Sequence, residues 1–123
     1  MGVRCCSTAE EVITIIDSFR DPNVTCCWDF GHAAVAFREN MLEELKKVGN
    51  RLSSTHVHDN NMRADLHQAV YMGKIDWESH ISYLKEIGYK GAFTYEFVYG
   101  SIPEPLLPEY LKMSRCTAEF MTK

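Results

Sequence analysis

The chain has 123 residues, 46% apolar and 24% charged, with a net charge of −4. That balance suits one soluble domain with a modest core, and the acidic sign opposes non-specific binding to a phosphate backbone. No apolar run approaches the roughly 20 residues that span a bilayer, and the N-terminal MGVRCCSTAEEV lacks an apolar signal core, so a cytoplasmic protein is expected.

Gly2 stands in a myristoylation position, but Cys6 occupies the place where that motif wants Ser or Thr. The five cysteines are odd in number, include the adjacent pairs Cys5–Cys6 and Cys26–Cys27, and form no C-x-x-C. Neighbours in a strand face opposite ways, so reduced thiols are expected rather than a thiolate zinc site.

In chain order, STAEEVITIIDSF (7–19) opens as a helix. Ser7 with Glu10 makes a capping box, and Val12, Ile13, Ile16 and Phe19 recur at helical spacing. Asp21, Pro22 and Asn23 turn the chain into VTCCWDF (24–30), a short aromatic and β-branched strand ending near Asp29. GHAAVAF follows. Then NMLEELKKVGN (40–50) reads as a helix, with Asn40 and Glu43 as its cap, a stripe of Met41, Leu42, Leu45 and Val48, and Gly49 to close it. RLSSTHV (51–57) is a second strand. The polar segment from 58 to about 75 is long for a connection, and such loops are functional or mobile. Asp76 caps a third helix, WESHISYLKEIG (77–88), whose apolar side is Trp77, Ile81, Leu84 and Ile87. AFTYEFV (92–98) is a third strand and PEYLKMSRCTAEFMTK (108–123) a final helix. The order α-β-α-β-α-β-α predicts an α/β fold with about three parallel strands and four helices. Ligands in such folds gather at the C-terminal ends of the strands.

Each predicted strand ends in residues able to bind a metal: Asp29 and His32, then His56, His58 and Asp59, then Glu96. Taken singly they have bland explanations, Asp29 as a helix cap and His32 as a surface histidine. Alternation puts His56 and His58 on one strand face, and a glutamate within AFTYEFV is costly to bury unless paired or coordinated. Three neighbouring strand ends converge on one point, and a mixed nitrogen and oxygen donor set favours Mn, Mg, Co, Fe or Zn.

CCWDFGHA, STHVHDNN, DLH, GKIDW and GYKGAFTYEF resemble, in order and spacing, the last part of the sugar phosphate isomerase/epimerase family. This is the xylose isomerase-like TIM-barrel group, which includes endonuclease IV-like enzymes. The resemblance implies that residues 1–123 are one domain, the C-terminal part of a (β/α)8 barrel. It implies a divalent metal held by Asp29, His56 and Glu96, with Glu96 also the catalytic acid or base. His56 matches the family histidine three residues before Asp59, leaving His58 as a supporting or substrate-facing group. His32 matches a histidine that faces substrate in sugar epimerases and binds metal in endonuclease IV-like members. Asp65 and His67 resemble a zinc-binding Asp-x-His of the latter, and Arg63 is placed by its loop near a substrate oxygen.

Two departures stand out. Val70 and Tyr71 occupy the proline and first glycine of a family PGxG, of which only Gly73 is kept. A full barrel needs about 250 residues; the three strands here resemble the sixth to eighth, and the glutamate that an earlier strand gives to the metal and to the acid/base pair has no counterpart. The implied reaction is isomerisation or epimerisation of a small sugar or sugar phosphate through a metal-stabilised enediolate, incomplete in this chain alone. The alternatives are an endonuclease IV-like zinc phosphodiesterase and a non-catalytic truncated remnant. Open strand edges predict self-association or a complementing barrel fragment.

Overall fold

The computed structural model describes residues 8–98, 100 and 102–123. Its elements are α1 (Ala9–Phe19), β1 (Cys26–Asp29), α2 (Phe30–Phe37), α3 (Met41–Val48), β2 (Leu52–Val57), α4 (Trp77–Glu86), β3 (Ala92–Tyr95) and α5 (Leu107–Thr122). The strands form one sheet in the order β1-β2-β3, with both pairs parallel. The expected α/β partial barrel is therefore present. One further helix, α2, covers a segment that the sequence reading assigns to no element. It starts because the Asp29 carboxylate accepts the His32 N–H at 2.8 Å, an N-cap at the strand's last residue.

Two helix starts differ from expectation. Ser7 lies outside the described residues, and Thr8 caps α1: its hydroxyl accepts the Glu11 N–H while the Glu11 carboxylate accepts the Thr8 N–H. The run STAEE permits a capping box in either register, one residue apart. Asn40 makes no capping bond, because a 3-10 turn over Arg38–Asn40 already holds it in helical backbone at the entry to α3. Asp76 caps α4 as expected, accepting the Ser79 N–H at 3.1 Å, and Gly49 closes α3 at φ 55°.

The core fills the space between one sheet face and the helices. Trp28, Thr55 and Val57 alternate into it and meet Phe30, Leu45, Val48 and Trp77, all buried. Fully burying such a side chain contributes about 1.5–3 kcal/mol. Phe30 and Trp77 sit with ring centroids 5.0 Å apart, and Trp28 stacks on Phe37 at 6.0 Å. Phe19 escapes this layer and is 62% exposed. The segment after β2 is pinned rather than free: Asp59 and Gln68 form an antiparallel bridge with two 2.8 Å hydrogen bonds. Among the described residues, no helix is long and apolar enough to cross a membrane.

Candidate metal centre

Parallel register builds the site. Asp29 lies beside His56 across β1 and β2, and His56 beside Thr94 across β2 and β3. Glu96 comes two residues after Thr94, just past the end of β3, so alternation returns it to the same face. Its N–H donates to the Val57 carbonyl at 3.1 Å, which continues the ladder. As a result His56 Nδ1 is 3.5 Å from Asp29 Oδ2 and 3.5 Å from Glu96 Oε1. His58 puts Nε2 3.1 Å from Asp29 Oδ1 and 3.8 Å from Glu96 Oε2.

The loops close the outer side. His32 reaches Asp29 through Nδ1 (2.8 Å) and Asp65 through Nε2 (3.2 Å). His67 Nε2 is 3.2 Å from Asp65 Oδ1, and its ring stacks on His58 with centroids 3.9 Å apart. Four of the chain's five histidines thus meet three carboxylates. The fifth, His80, is buried beside Phe30 on the helix side and belongs to the core. Arg63 is exposed and takes part in none of these contacts.

Burial works against the charge on Asp29, but hydrogen bonds from the His58 ring and from the His32 backbone and ring outweigh it. The carboxyl is held well below the usual carboxylate range. Burial likewise works against protonation of His32, and its bonds to Asp29 and Asp65 raise its pKa nonetheless.

The residues fit a divalent cation. Asp29, His32, His58 and Glu96 each offer an atom within 4.8 Å of the others, as do His32, His58, Asp65 and His67. Glu96 Oε2 and His58 Nδ1 are buried without a hydrogen-bond partner among the described residues. An orphaned carboxylate oxygen is costly, and a cation would satisfy it. His58 belongs to both compact sets and His56 to neither, although His56 is the one that faces both flanking carboxylates at equal distance.

The structure adds residues that the sequence reading passed over. An added Cβ at Gly31 would overlap the His58 ring, so the small residue after Phe30 is what lets that histidine reach Asp29. Asn60 donates from Nδ2 to the Gly31 carbonyl and fixes the same turn. Gly31 comes two residues after the end of β1, where a close backbone approach is common, and that is the available signal.

Three βα units with a His and carboxylate cluster at the strand ends define a piece of a TIM barrel. The chain belongs to the xylose isomerase-like TIM barrel family, whose model matches residues 1–116. It is 32% identical over 90 residues to the uncharacterized protein MJ1311 of Methanocaldococcus jannaschii, an overlap covering 72% of this chain and 31% of that protein. It is similar to the crystal structure of a D-tagatose 3-epimerase-like protein, with a TM-score of 0.66 and 28% identity over 91% of this chain and 43% of that one. A D-psicose 3-epimerase crystallised with D-fructose shares the fold, with a TM-score of 0.77 at 15% identity over 94% of this chain and 44% of that one. The chain therefore spans about a third of its curated relative and less than half of each epimerase chain.

Proposed function

We propose that this chain is the metal-binding C-terminal part of a sugar or sugar-phosphate isomerase/epimerase. The observation that carries the reading is His56 Nδ1 set 3.5 Å from carboxylates on both neighbouring strands. Asp29, His56 and Glu96 would hold the ion, of the Mn, Mg, Co, Fe or Zn type. His56 is favoured over His58 because it is 42% exposed on the open face, whereas His58 is fully buried and already bonded to Asp29. His58 orients Asp29 instead, as partners of metal ligands commonly do.

When bound, the ion supplies Lewis-acid stabilisation of charge building on two adjacent substrate oxygens. Glu96 is the group of this chain placed to move a proton at a substrate carbon. Two-base epimerisation needs a second carboxylate on the opposite side of that carbon. His32, exposed beside Asp29, faces the substrate in this reading, and Arg63 approaches from the loop rim. The epimerase neighbours support a small sugar as substrate.

The missing carboxylate has a route into the site. Among the described residues no strand covers the outer edge of β1, which borders a groove of about 690 Å³ lined by Val12, Cys26, Trp28, Val35 and Phe37 and reaching Asp29. A further parallel strand seated there would end beside Asp29. It would come from a longer polypeptide, a complementing fragment or a second copy.

A second reading, a zinc phosphodiesterase of the endonuclease IV type, draws on His32, Asp65 and His67 being brought together. The net charge of −4 weighs against a DNA substrate. Calorimetric metal titration of the chain and of Asp29→Ala, His56→Ala and Glu96→Ala tests the site. Each change is expected to lower affinity by more than about tenfold, and unchanged binding in all three would refute the ligand set. Turnover of ketoses or hydroxypyruvate, set against cleavage of abasic-site DNA, separates the two chemistries. Silence on both leaves a non-catalytic remnant.

A further inference from the structure

Asp59 follows the two histidines and is fully buried. Its carboxylate collects four N–H donors. Oδ1 accepts from Asn60 N–H at 2.8 Å and Ile75 N–H at 3.2 Å, and Oδ2 from Tyr71 N–H at 3.1 Å and the Trp77 indole at 2.8 Å. Its backbone exchanges two 2.8 Å bonds with Gln68. These anchor points fall at 60, 68, 71, 75 and 77, and so bracket the whole segment that carries Arg63, Asp65 and His67. Asn60 extends the anchorage. Its carbonyl accepts from Lys74 N–H, its Oδ1 accepts from Met62 N–H at 3.0 Å, and its Nδ2 ties the segment to the Gly31 turn.

The segment needs such an anchor. Met62, His67 and Tyr71 all have positive φ, at 63°, 46° and 71°. Left-handed backbone is unfavourable for residues with a Cβ, and it persists only where the surroundings impose it. Each of the three adjoins the anchorage: Met62 bonds to Asn60, Tyr71 bonds to Asp59, and His67 precedes Gln68. Gly73 packs so closely that an added Cβ would overlap the Asp59 carboxylate.

We infer that Asp59 is a positioning residue whose carboxylate holds residues 60–75 in the strained conformation that stacks His67 on His58 and presents Asp65 to His32. Its functional meaning rests on the metal-site reading above; the conformational claim does not. An asparagine in its place keeps the shape but turns one acceptor into a donor, so the N–H groups on that side would face another N–H.

The test is amide hydrogen exchange on the full chain, with the contact between the His58 and His67 rings followed by NMR. Asp59→Asn is expected to speed exchange across 60–75 by more than about tenfold, a shift of roughly 1.4 kcal/mol in local opening. It should abolish the ring contact and leave α1, α3 and the sheet protected. Trp77→Phe deletes one donor and should raise exchange in the same segment by less, and it decides the matter if Asp59→Asn does not fold. Unchanged exchange with the stack intact in Asp59→Asn, or protection lost evenly over the chain in Trp77→Phe, overturns the inference. Cobalt titration runs in parallel: a parent chain that binds no cobalt refutes the metal reading alone, and the exchange result still decides the role of Asp59.

Discussion

Gly31 and His58 compete for one volume, so Gly31→Ala must displace the imidazole or shift the β1–α2 turn. Overpacking of this kind costs about 1–3 kcal/mol, read as a lower urea midpoint. His58→Ala in the same background should restore part of that loss, because it removes the obstructing ring; strictly additive effects would refute the clash. Two buried acids set the alkaline limit. Burial, with a smaller effect from Cys27, pushes the Cys26 thiol up to about 11, and burial with Tyr71 nearby pushes the Tyr95 phenol up to about 12. Both hold their protons longer in the folded than in the unfolded chain. Their contribution is complete below the ordinary thiol value of 9.0 and is lost as pH rises through the raised values. Thermal melts should therefore show Tm falling above about pH 9, and a flat profile to pH 12 would contradict the burial of both groups.

At the scale of elements, Tyr71 stands where the family pattern has glycine, and its φ of 71° shows why glycine suits the place. Tyr71→Ala loses the contact with Phe120 and keeps the strain, whereas Tyr71→Gly loses both. The glycine variant should be the more stable of the two by about 1 kcal/mol in denaturant unfolding. Equal stabilities would mean that the loop relaxes around Tyr71. The strands and their ends were legible in the sequence because alternation and a polar residue at each terminus are local signals. Asp29, His32, His56, His58, Asp59 and Glu96 stand out as candidates for that reason, whereas the choice of His56 over His58 rests on the family resemblance. The helix α2 was not legible, since FGHAAVAF holds a single polar residue, His32, among apolar ones and so offers no polar face to set a period. The role of Asp59 was hidden for a different reason. Three of its four donors lie 12 to 18 residues further on, and nothing in the spacing of Tyr71, Ile75 and Trp77 announces that they converge.

For the whole molecule, the open sheet dominates. Among the described residues, both β1 and β3 have a neighbour on one side only, and Val98, Leu106, Leu111 and Phe120 are apolar yet each more than half exposed. Unpaired strand edges and uncovered apolar surface favour association. Size-exclusion chromatography with light scattering should therefore report a mass above the monomer at micromolar concentration. A compact monomer would count against both self-association and the need for a complement. The same openness explains why the candidate site is only half enclosed among the described residues: the register of β1, β2 and β3 aligns its residues and leaves one side uncovered.

The placement of the two tryptophans gives the chain separate optical reporters. The Trp77 indole is bonded to Asp59 and almost fully buried, so its emission should shift to the red when water reaches the 60–75 anchorage. Trp28 lines the groove beside β1, where the strand proposed above would seat. Trp28→Phe leaves a fluorophore that times release of the loop, and Trp77→Phe leaves one that times strand addition at the edge. Rapid-mixing fluorescence on the pair would show which event comes first when the chain associates with a second copy or a complementing fragment.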